Sequence, residues 1–289
     1  MPTTKARERR RRRLRTAGVL LALATVVGGG GYLALVQLDS SEVLVRERCT
    51  AVVGEDTYEL RPDQAAHAST IAAVAVTRGL PARAASIALA TAVQESGLRN
   101  LDYGDMAGPD SRGLFQQRPS QGWGSEEQVQ DPVYAAGAFY DVLVTVPDYE
   151  SMPITEAAQQ VQRSAYPDAY ADHEPEGRAF ASALTGQSPA SLNCVLREPA
   201  TAGNPEAVTA SFAAAFPGLS VESSGGEVAA SASGSYGWAA AQWAVANAQG
   251  LGITSVSYAG LLWDRSEGGW NAAETETGRV LITVAAPAA

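Results

Sequence analysis

Histidine and cysteine are scarce in this sequence, which has two of each in 289 residues. Neither His67 nor His173 has a cysteine or the other histidine nearby in the chain. A zinc centre needs three or four such ligands, and transition-metal carriers use clusters of them. The sequence therefore predicts no metal site and no cofactor, and it argues against a metal transporter.

Positive charge is also scarce once the first 15 residues are set aside. Eight of the 21 Lys and Arg residues, and one of the 31 acidic residues, lie in the segment KARERRRRRLR. The rest of the chain carries 13 basic and 30 acidic side chains, a formal charge of −17. Such an acidic surface argues against nucleic acid or anionic lipid as a partner.

A long apolar run follows this basic segment, which we delimit as residues 1–16. Residues 17–38 are interrupted only by Thr25, five glycines and Gln37, and this length can cross a bilayer. Positive charge before the span keeps the N-terminus in the cytoplasm. Because no Ala-x-Ala cleavage site follows, the sequence predicts a single-pass anchor in the cell membrane, with the remaining chain outside the cytoplasm. A cleaved signal peptide is the alternative.

The two cysteines, Cys49 and Cys194, bracket a segment about as long as one domain. In an exterior compartment this arrangement predicts a disulfide that ties the ends of that domain together. A pair of buried free thiols is the alternative.

Chain length and a hydrophobic content of 46% favour two modest globular domains. The segment REPATAGNPE, residues 197–206, has the composition of a linker. We therefore expect a first domain over residues 45–196, mostly helical with a small central β region. A second domain over residues 207–285 mixes helices and strands, so the predicted class is α+β.

One glutamate occupies an unusual position in the first domain. Residues 82–93 are apolar on nearly every face, which predicts a helix packed on all sides. Glu95 follows at its end. Burial and the negative end of the helix dipole both disfavour the charged carboxylate, so we expect a raised pKa. A carboxyl group that is protonated near neutral pH can serve as a general acid.

The residues around Glu95 form a recognisable pattern. Glu95-Ser96 is followed by Gly104-Asp105 and then by SRGLFQ at residues 111–116. This resembles the lysozyme-like domain of lytic transglycosylases and goose-type lysozymes, whose pattern is Glu-Ser and then Ser-x-Gly-Leu-Met-Gln. Phe115 stands where methionine is usual. The stretch through GLFQQRPSQGWG also looks like a group of actinobacterial membrane-anchored proteins with this domain, and the resemblance covers roughly residues 48–195.

The resemblance implies a cleft that binds peptidoglycan glycan strands. Glu95 would protonate the oxygen between N-acetylmuramic acid and N-acetylglucosamine. The cleft-lining residues implied are Asp105, Ser111, Gly113, Phe115 through its backbone, and Gln116. Trp123 and Tyr134 are candidates for stacking on sugar rings, and core packing is their alternative role. Asp102, Asp105 and Asp110 are candidates for a second carboxylate, which glycosidases that rely on substrate assistance do without.

One motif of the lysozyme-like family is missing. The Ala-Tyr-Asn-Ala-Gly sequence that usually closes the cleft does not occur, and VQRSAYPDAY, residues 161–170, stands in about its place. Tyr166 or Tyr170 is the expected substitute for the missing tyrosine.

The second domain weakly resembles secreted domains related to zinc D-Ala-D-Ala peptidases, over residues 238–271. Those enzymes need three histidine or aspartate ligands, and both histidines of this chain lie in the first domain. We interpret it as a non-catalytic module that binds cell-wall peptide or a cell-envelope protein. The alternative is that its tryptophans only pack its core.

Two functions remain from different classes. The first is a membrane-anchored enzyme that cleaves peptidoglycan, as a lytic transglycosylase or a muramidase, with Glu95 as acid and base. The second is a non-catalytic peptidoglycan-binding or scaffold protein on the same fold. The Glu-Ser and Gly-Leu-Phe-Gln residues favour the enzyme, whereas the missing tyrosine motif favours the scaffold.

Overall fold

The computed structural model describes residues 45–106, 108–163 and 169–286. The predicted basic segment and anchor, residues 1–38, lie outside them, as does Tyr166. Within the described ranges, no helix is both long and apolar enough to cross a membrane. These residues form α-helices and two antiparallel sheets, which confirms the predicted α+β class.

The helices are α1 (Pro62–Thr77), α2 (Ala82–Ser96), α3 (Glu126–Gln130), α4 (Pro132–Leu143), α5 (Ile154–Gln162), α6 (Glu174–Leu184), α7 (Pro205–Ala215), α8 (Gly234–Ala246) and α9 (Ala248–Leu251). The strands are β1 (Arg48–Val53), β2 (Asp56–Leu60), β3 (Leu192–Val195), β4 (Val221–Ser224), β5 (Glu227–Ser231), β6 (Ile253–Tyr258), β7 (Leu261–Asp264), β8 (Gly269–Ala272) and β9 (Arg279–Val284). Short 3₁₀ helices cover Pro119–Gln121 and Ala171–His173.

The smaller sheet has the strand order β2-β1-β3. Cys49 in β1 lies directly opposite Cys194 in β3, and the two form a disulfide between positions 145 residues apart. Both cysteines are buried. The predicted disulfide is therefore confirmed, and it joins two neighbouring strands at the edge of the helical region.

Helices α2 and α6 form the centre of the helical region. Helix α2 is rich in alanine, and most of its residues are buried, as its all-round apolar pattern predicts. Gly177 of α6 lies against α2 so closely that a Cβ there would be 2.9 Å from the carbonyl oxygen of Ser86. Small side chains on both helices allow this close contact, so α6 packs directly against one side of α2.

The larger sheet has the strand order β4-β5-β9-β6-β7-β8, with every neighbouring pair antiparallel. Its central strand β9 alternates half-buried and buried residues, as a sheet with one covered face requires. Helix α8 covers that face. Trp238 and Trp243 on α8 and Trp263 on β7 are all buried, so these tryptophans pack the core, which was the alternative reading of the second domain.

Buried side-chain hydrogen bonds join the two halves of the chain. The side-chain oxygen of Gln242, on α8, accepts hydrogen bonds from the backbone N–H groups of Ser191 (2.9 Å) and Leu192 (2.8 Å). Its amide nitrogen donates to the carbonyl oxygen of Ala183 at 2.6 Å. Trp263 Nε1 donates to Asn193 Oδ1 at 3.0 Å. Strand β3 is thus bound to the smaller sheet by backbone pairing and to the C-terminal half by these side chains.

A buried arginine fixes the segment between the halves. Arg265 donates from Nε to the carbonyl oxygen of Arg197 at 2.6 Å, and from Nη1 to those of Ala248 (2.9 Å) and Ile253 (3.0 Å). The start of the predicted linker is therefore held against the second half. From Arg46 onward the described residues form one compact unit.

Candidate functional site

Glu95 lies in the last turn of α2, which ends at Gly97 in the left-handed conformation (φ 62°). Its side chain is half-buried. Burial raises the pKa of the Glu95 carboxyl group, and hydrogen bonds from Tyr170 and Gln162 oppose the shift without cancelling it. The raised pKa expected from the sequence is confirmed, and burial is its largest cause.

Tyr170 contacts the Glu95 carboxyl group directly. Its phenol donates a hydrogen bond to Glu95 Oε1 at 2.7 Å, and its side chain is fully buried. It stands immediately before the 3₁₀ helix Ala171–His173. Of the two tyrosines expected to replace the missing motif, Tyr170 therefore contacts Glu95, while Tyr166 lies outside the described residues.

Gln162 is a site residue that sequence reasoning did not identify. It is the last residue of α5, and its Nε2 donates to the carbonyl oxygen of Phe115 at 2.8 Å. The same side chain hydrogen-bonds the Glu95 carboxyl group. No sequence pattern around Gln162 indicates this role, because the role depends on contacts with Phe115 and Glu95, which are distant in the chain.

Phe115 has different roles for its ring and its backbone. The ring is buried and stacks on Phe139 with 4.8 Å between centroids. Its carbonyl oxygen accepts from Gln162, so the backbone is what contacts the polar site. The Phe115 ring thus belongs to the core beneath the polar site.

Ser96 connects α2 to the loop that follows it. Its Oγ donates to the carbonyl oxygens of Leu114 (2.8 Å) and Ala92 (3.1 Å). Isolated β-bridges join Leu101 to Gly113 and Arg112 to Gln117, which gives the loop the small β character that we expected. The Glu-Ser pair therefore supplies a candidate acid and the anchor of its loop.

The remaining loop residues predicted for the cleft are closely packed within the loop. Ser111 and Gly113 are buried, and Gln116 is half-buried. A Cβ on Gly113 would lie 2.1 Å from the carbonyl oxygen of Val129, and its φ is +77°. The glycine is therefore required by the packing of the chain itself.

Two of the loop carboxylates stabilise the loop. Asp105 Oδ1 accepts a hydrogen bond from the N–H of Gly108 at 2.8 Å. Asp110 accepts from Arg118 Nε and from the N–H of Ser120, both at 3.0 Å. Hydrogen bonds from Ser120 and Arg118 hold the pKa of Asp110 well below its usual range. Asp102 is exposed.

A cavity of about 540 Å³ opens beside this site. Its lining includes Gln121, Trp123, Val142, Gln162 and Arg163. Because Gln162 also hydrogen-bonds the Glu95 carboxyl group, one residue connects the cavity to the candidate acid. Trp123 lines this cavity and also packs against the hydrophobic core, whereas Tyr134 is exposed at the start of α4.

Both histidines form hydrogen bonds with residues that are distant in the chain. His67 Nδ1 lies 2.8 Å from the carbonyl oxygen of Leu98, and His173 Nε2 lies 3.0 Å from Gln94 Oε1. Over the described ranges, no group of three or more His, Cys, Asp and Glu residues is arranged to hold a metal ion.

Comparison of the chain with protein-family models finds no match, and comparison with curated proteins finds no significant similarity.

Proposed function

We propose that this protein is a membrane-anchored enzyme that cleaves the glycan strands of peptidoglycan outside the cytoplasm. We further propose that residues 45–196 have a lysozyme-like fold, with Glu95 as general acid and then general base. The observation that carries the proposal is the half-buried Glu95 carboxyl group, whose pKa is raised and which is linked through Gln162 to a cavity that Trp123 lines.

In the first step, protonated Glu95 donates its proton to the oxygen of the bond between N-acetylmuramic acid and N-acetylglucosamine. The raised pKa keeps a larger fraction of the group protonated near neutral pH than an exposed glutamate would have. As the bond breaks, positive charge develops at the anomeric carbon, and Glu95 is left as a carboxylate.

The second step needs a nucleophile at the anomeric carbon. Asp105 and Asp110 already accept hydrogen bonds within the loop, which favours a route without a second carboxylate. The acetamido oxygen of the substrate attacks the anomeric carbon instead. The sugar's own 6-hydroxyl in a transglycosylase, or water in a hydrolase, then attacks the anomeric carbon and loses a proton to Glu95. The bond from the anomeric carbon to the acetamido oxygen breaks in this step, which restores the N-acetyl group.

Tyr170 and Gln162 assist both steps by holding the Glu95 side chain. Their hydrogen bonds stabilise the carboxylate that forms after proton donation, while burial favours the neutral acid before it. The opposing effects keep the group able to donate and accept in turn. Neither residue needs to contact the substrate for this role.

The C-terminal half is proposed to contact a cell-envelope protein or cell-wall peptide. Since Trp238, Trp243 and Trp263 are buried, such a partner would bind other side chains.

Incubation of the full-length protein with purified glycan strands, followed by mass spectrometry of released products, tests the proposal. We expect products from the native protein, and a loss of at least about 100-fold with Glu95→Gln. Anhydro ends indicate a transglycosylase, and hydrated ends a hydrolase. Glu176→Gln is the matched control, because Glu176 is another half-buried glutamate whose pKa burial raises.

Two results would contradict the enzyme proposal. Cleavage that persists in the Glu95→Gln protein would show that another group is the acid. Binding to glycan strands without any products, unchanged in the Glu95→Gln protein, would instead support the non-catalytic scaffold.

A further inference from the structure

The cavity beside Glu95 has a distinct electrostatic character. Arg163 is a cation in its lining, and no acidic residue of the described chain lines it. Arg163 is exposed and follows α5 in the left-handed conformation, with φ 53°. The residues after 16 carry a formal charge of −17. Against this acidic background, a cavity lined by an arginine favours a negatively charged ligand.

Arg163 differs from the other arginines of the neighbouring loop. Arg112 forms an ion pair with Glu126 at 3.2 Å, and Arg118 forms one with Asp110 at 3.0 Å. Counting only partners in the described ranges, no ion pair involves Arg163. Its side chain is exposed and lines the cavity, and a guanidinium group in such a position can bind a carboxylate through two parallel hydrogen bonds.

The other lining residues favour a sugar that carries such a group. Trp123 and Val142 provide apolar surface for the face of a ring. The amides of Gln121 and Gln162 can hydrogen-bond hydroxyl and N-acetyl groups without adding charge. Gln162 places this surface directly next to the carboxyl group of Glu95.

We propose that this cavity binds a carboxylate attached to the glycan strand, beside the bond that Glu95 protonates, with Arg163 as the residue that selects it. This inference rests on the proposed function. The carboxylate comes from one of two sources: the lactyl group of an unsubstituted N-acetylmuramic acid, or the peptide attached to that lactyl group. Neutral strands of N-acetylglucosamine lack both.

Isothermal titration calorimetry tests the inference with three oligosaccharides of equal length. One contains only N-acetylglucosamine, one carries free lactyl carboxylates and one carries peptides. The full-length Glu95→Gln protein is used so that ligands are not cleaved. We expect at least one carboxylated ligand to bind about tenfold more tightly than the neutral one, in line with a charge-assisted hydrogen bond. The carboxylated oligosaccharide that binds more tightly identifies the source of the carboxylate.

Introducing Arg163→Gln into the Glu95→Gln protein should remove the preference for carboxylated oligosaccharides. The affinity for the neutral oligosaccharide should not change. Arg279→Gln is the charge control, because Arg279 lies on β9 and pairs with Glu222 and Glu276. It removes the same charge and should keep the preference.

The outcomes separate the two proposals. If the neutral and carboxylated oligosaccharides bind equally, or if the preference survives Arg163→Gln, the role of Arg163 is wrong while the proposed function stands. If none of the three oligosaccharides binds, the proposed function fails and this inference fails with it.

Discussion

The phenol oxygen of Tyr170 lies 2.7 Å from Oε1 of Glu95, although 75 residues separate the two in the chain. Tyr170 is fully buried, so its hydroxyl group has a fixed direction. A hydrogen bond donated to a carboxylate favours the charged form, whereas burial favours the neutral form. The pKa of Glu95 is therefore set by two opposing effects that substitutions can separate.

Tyr170→Phe removes one of these effects. We expect the pKa of Glu95 to rise further above its ordinary value, because burial remains while a hydrogen bond to the carboxylate is lost. The alkaline limb of the pH–rate profile should then move to higher pH, with activity about 2- to 10-fold lower. An NMR titration of the Glu95 carboxyl carbon measures the shift independently of activity. Tyr134→Phe, at an exposed position, should leave the titration unchanged.

Glu95 should also make stability depend on pH. Below the ordinary pKa of glutamate, about 4.3, the group is protonated in the folded and unfolded states and has no effect. As the pH rises, the unfolded state loses the proton first, because the folded pKa is raised, and the free energy of unfolding falls. Glu95→Gln should therefore stabilise the protein at pH 7 and not at about pH 3. Urea unfolding at both pH values measures this, and an equal gain at both would contradict it.

Gly113→Ala tests whether the loop requires a glycine. A Cβ there would lie 2.1 Å from the carbonyl oxygen of Val129, so the chain must shift as well as accept a φ of +77°. We expect a loss of more than about 2 kcal/mol in the free energy of unfolding. Gly122→Ala is the matched control, since φ is +86° there and no atom lies within 4 Å of the added Cβ. It should cost about 1 kcal/mol, and equal losses would show that only the backbone angle matters.

Arg265→Met would remove the hydrogen bonds that the guanidinium group donates to the carbonyl oxygens of Arg197, Ala248 and Ile253. We expect a loss of about 3 kcal/mol or more in the free energy of unfolding, since three hydrogen bonds from a charged donor are lost. Thermal unfolding should show a lower Tm in a single transition, because the two halves share this network. Two separate transitions would contradict that cooperativity, and Arg279→Met, on the surface, should change Tm little.

Removing the disulfide with Cys49→Ala and Cys194→Ala should lower the free energy of unfolding by about 4 kcal/mol. The reason is that the bond closes a long loop and so restricts the unfolded chain. Urea unfolding of the variant and of the native protein under reducing conditions should agree. A much larger loss in the variant would indicate instead that the two side chains are needed for packing.

Local signals in the sequence predicted several elements closely. The sequence predicts a helix from Glu174 to Leu184 and a strand from Arg279 to Val284, and both elements have these bounds in the structure. Asp131 caps α4 as expected, accepting from the N–H groups of Val133 and Tyr134. In each case the residues that determine the element lie within it or next to it.

The sequence predicts a helix that Asp63 caps, and this capping role is wrong. Helix α1 begins after Arg61, and Asp63 lies in its first turn, where it pairs with Arg61 at 2.9 Å. Pro62 fits the first position of a helix, which explains the earlier start. The sequence also predicts one helix from 237 to 250, whereas the structure has α8 and the short α9 there, with Asn247 between them.

Distant contacts were not predictable in the same way. The pairing of β1 with β3, and the link from Gln162 to Glu95, each join residues far apart in the chain. Strand β4 has no alternating pattern because its residues are largely exposed. Glu95 could be identified because a short apolar helix leads directly to it, but the partners that hold its carboxyl group required the folded chain.

The disulfide also has a mechanical consequence. Strand β1 is the first element of the described chain, and Cys49 is its second residue. A pulling force applied to the chain at Val45 would pass through only a few residues before it reached a covalent bond to β3. The load would then be carried by the smaller sheet, and the helices around Glu95 would be shielded from it. A pulling force at Val45 would therefore leave the position of the Glu95 side chain undisturbed.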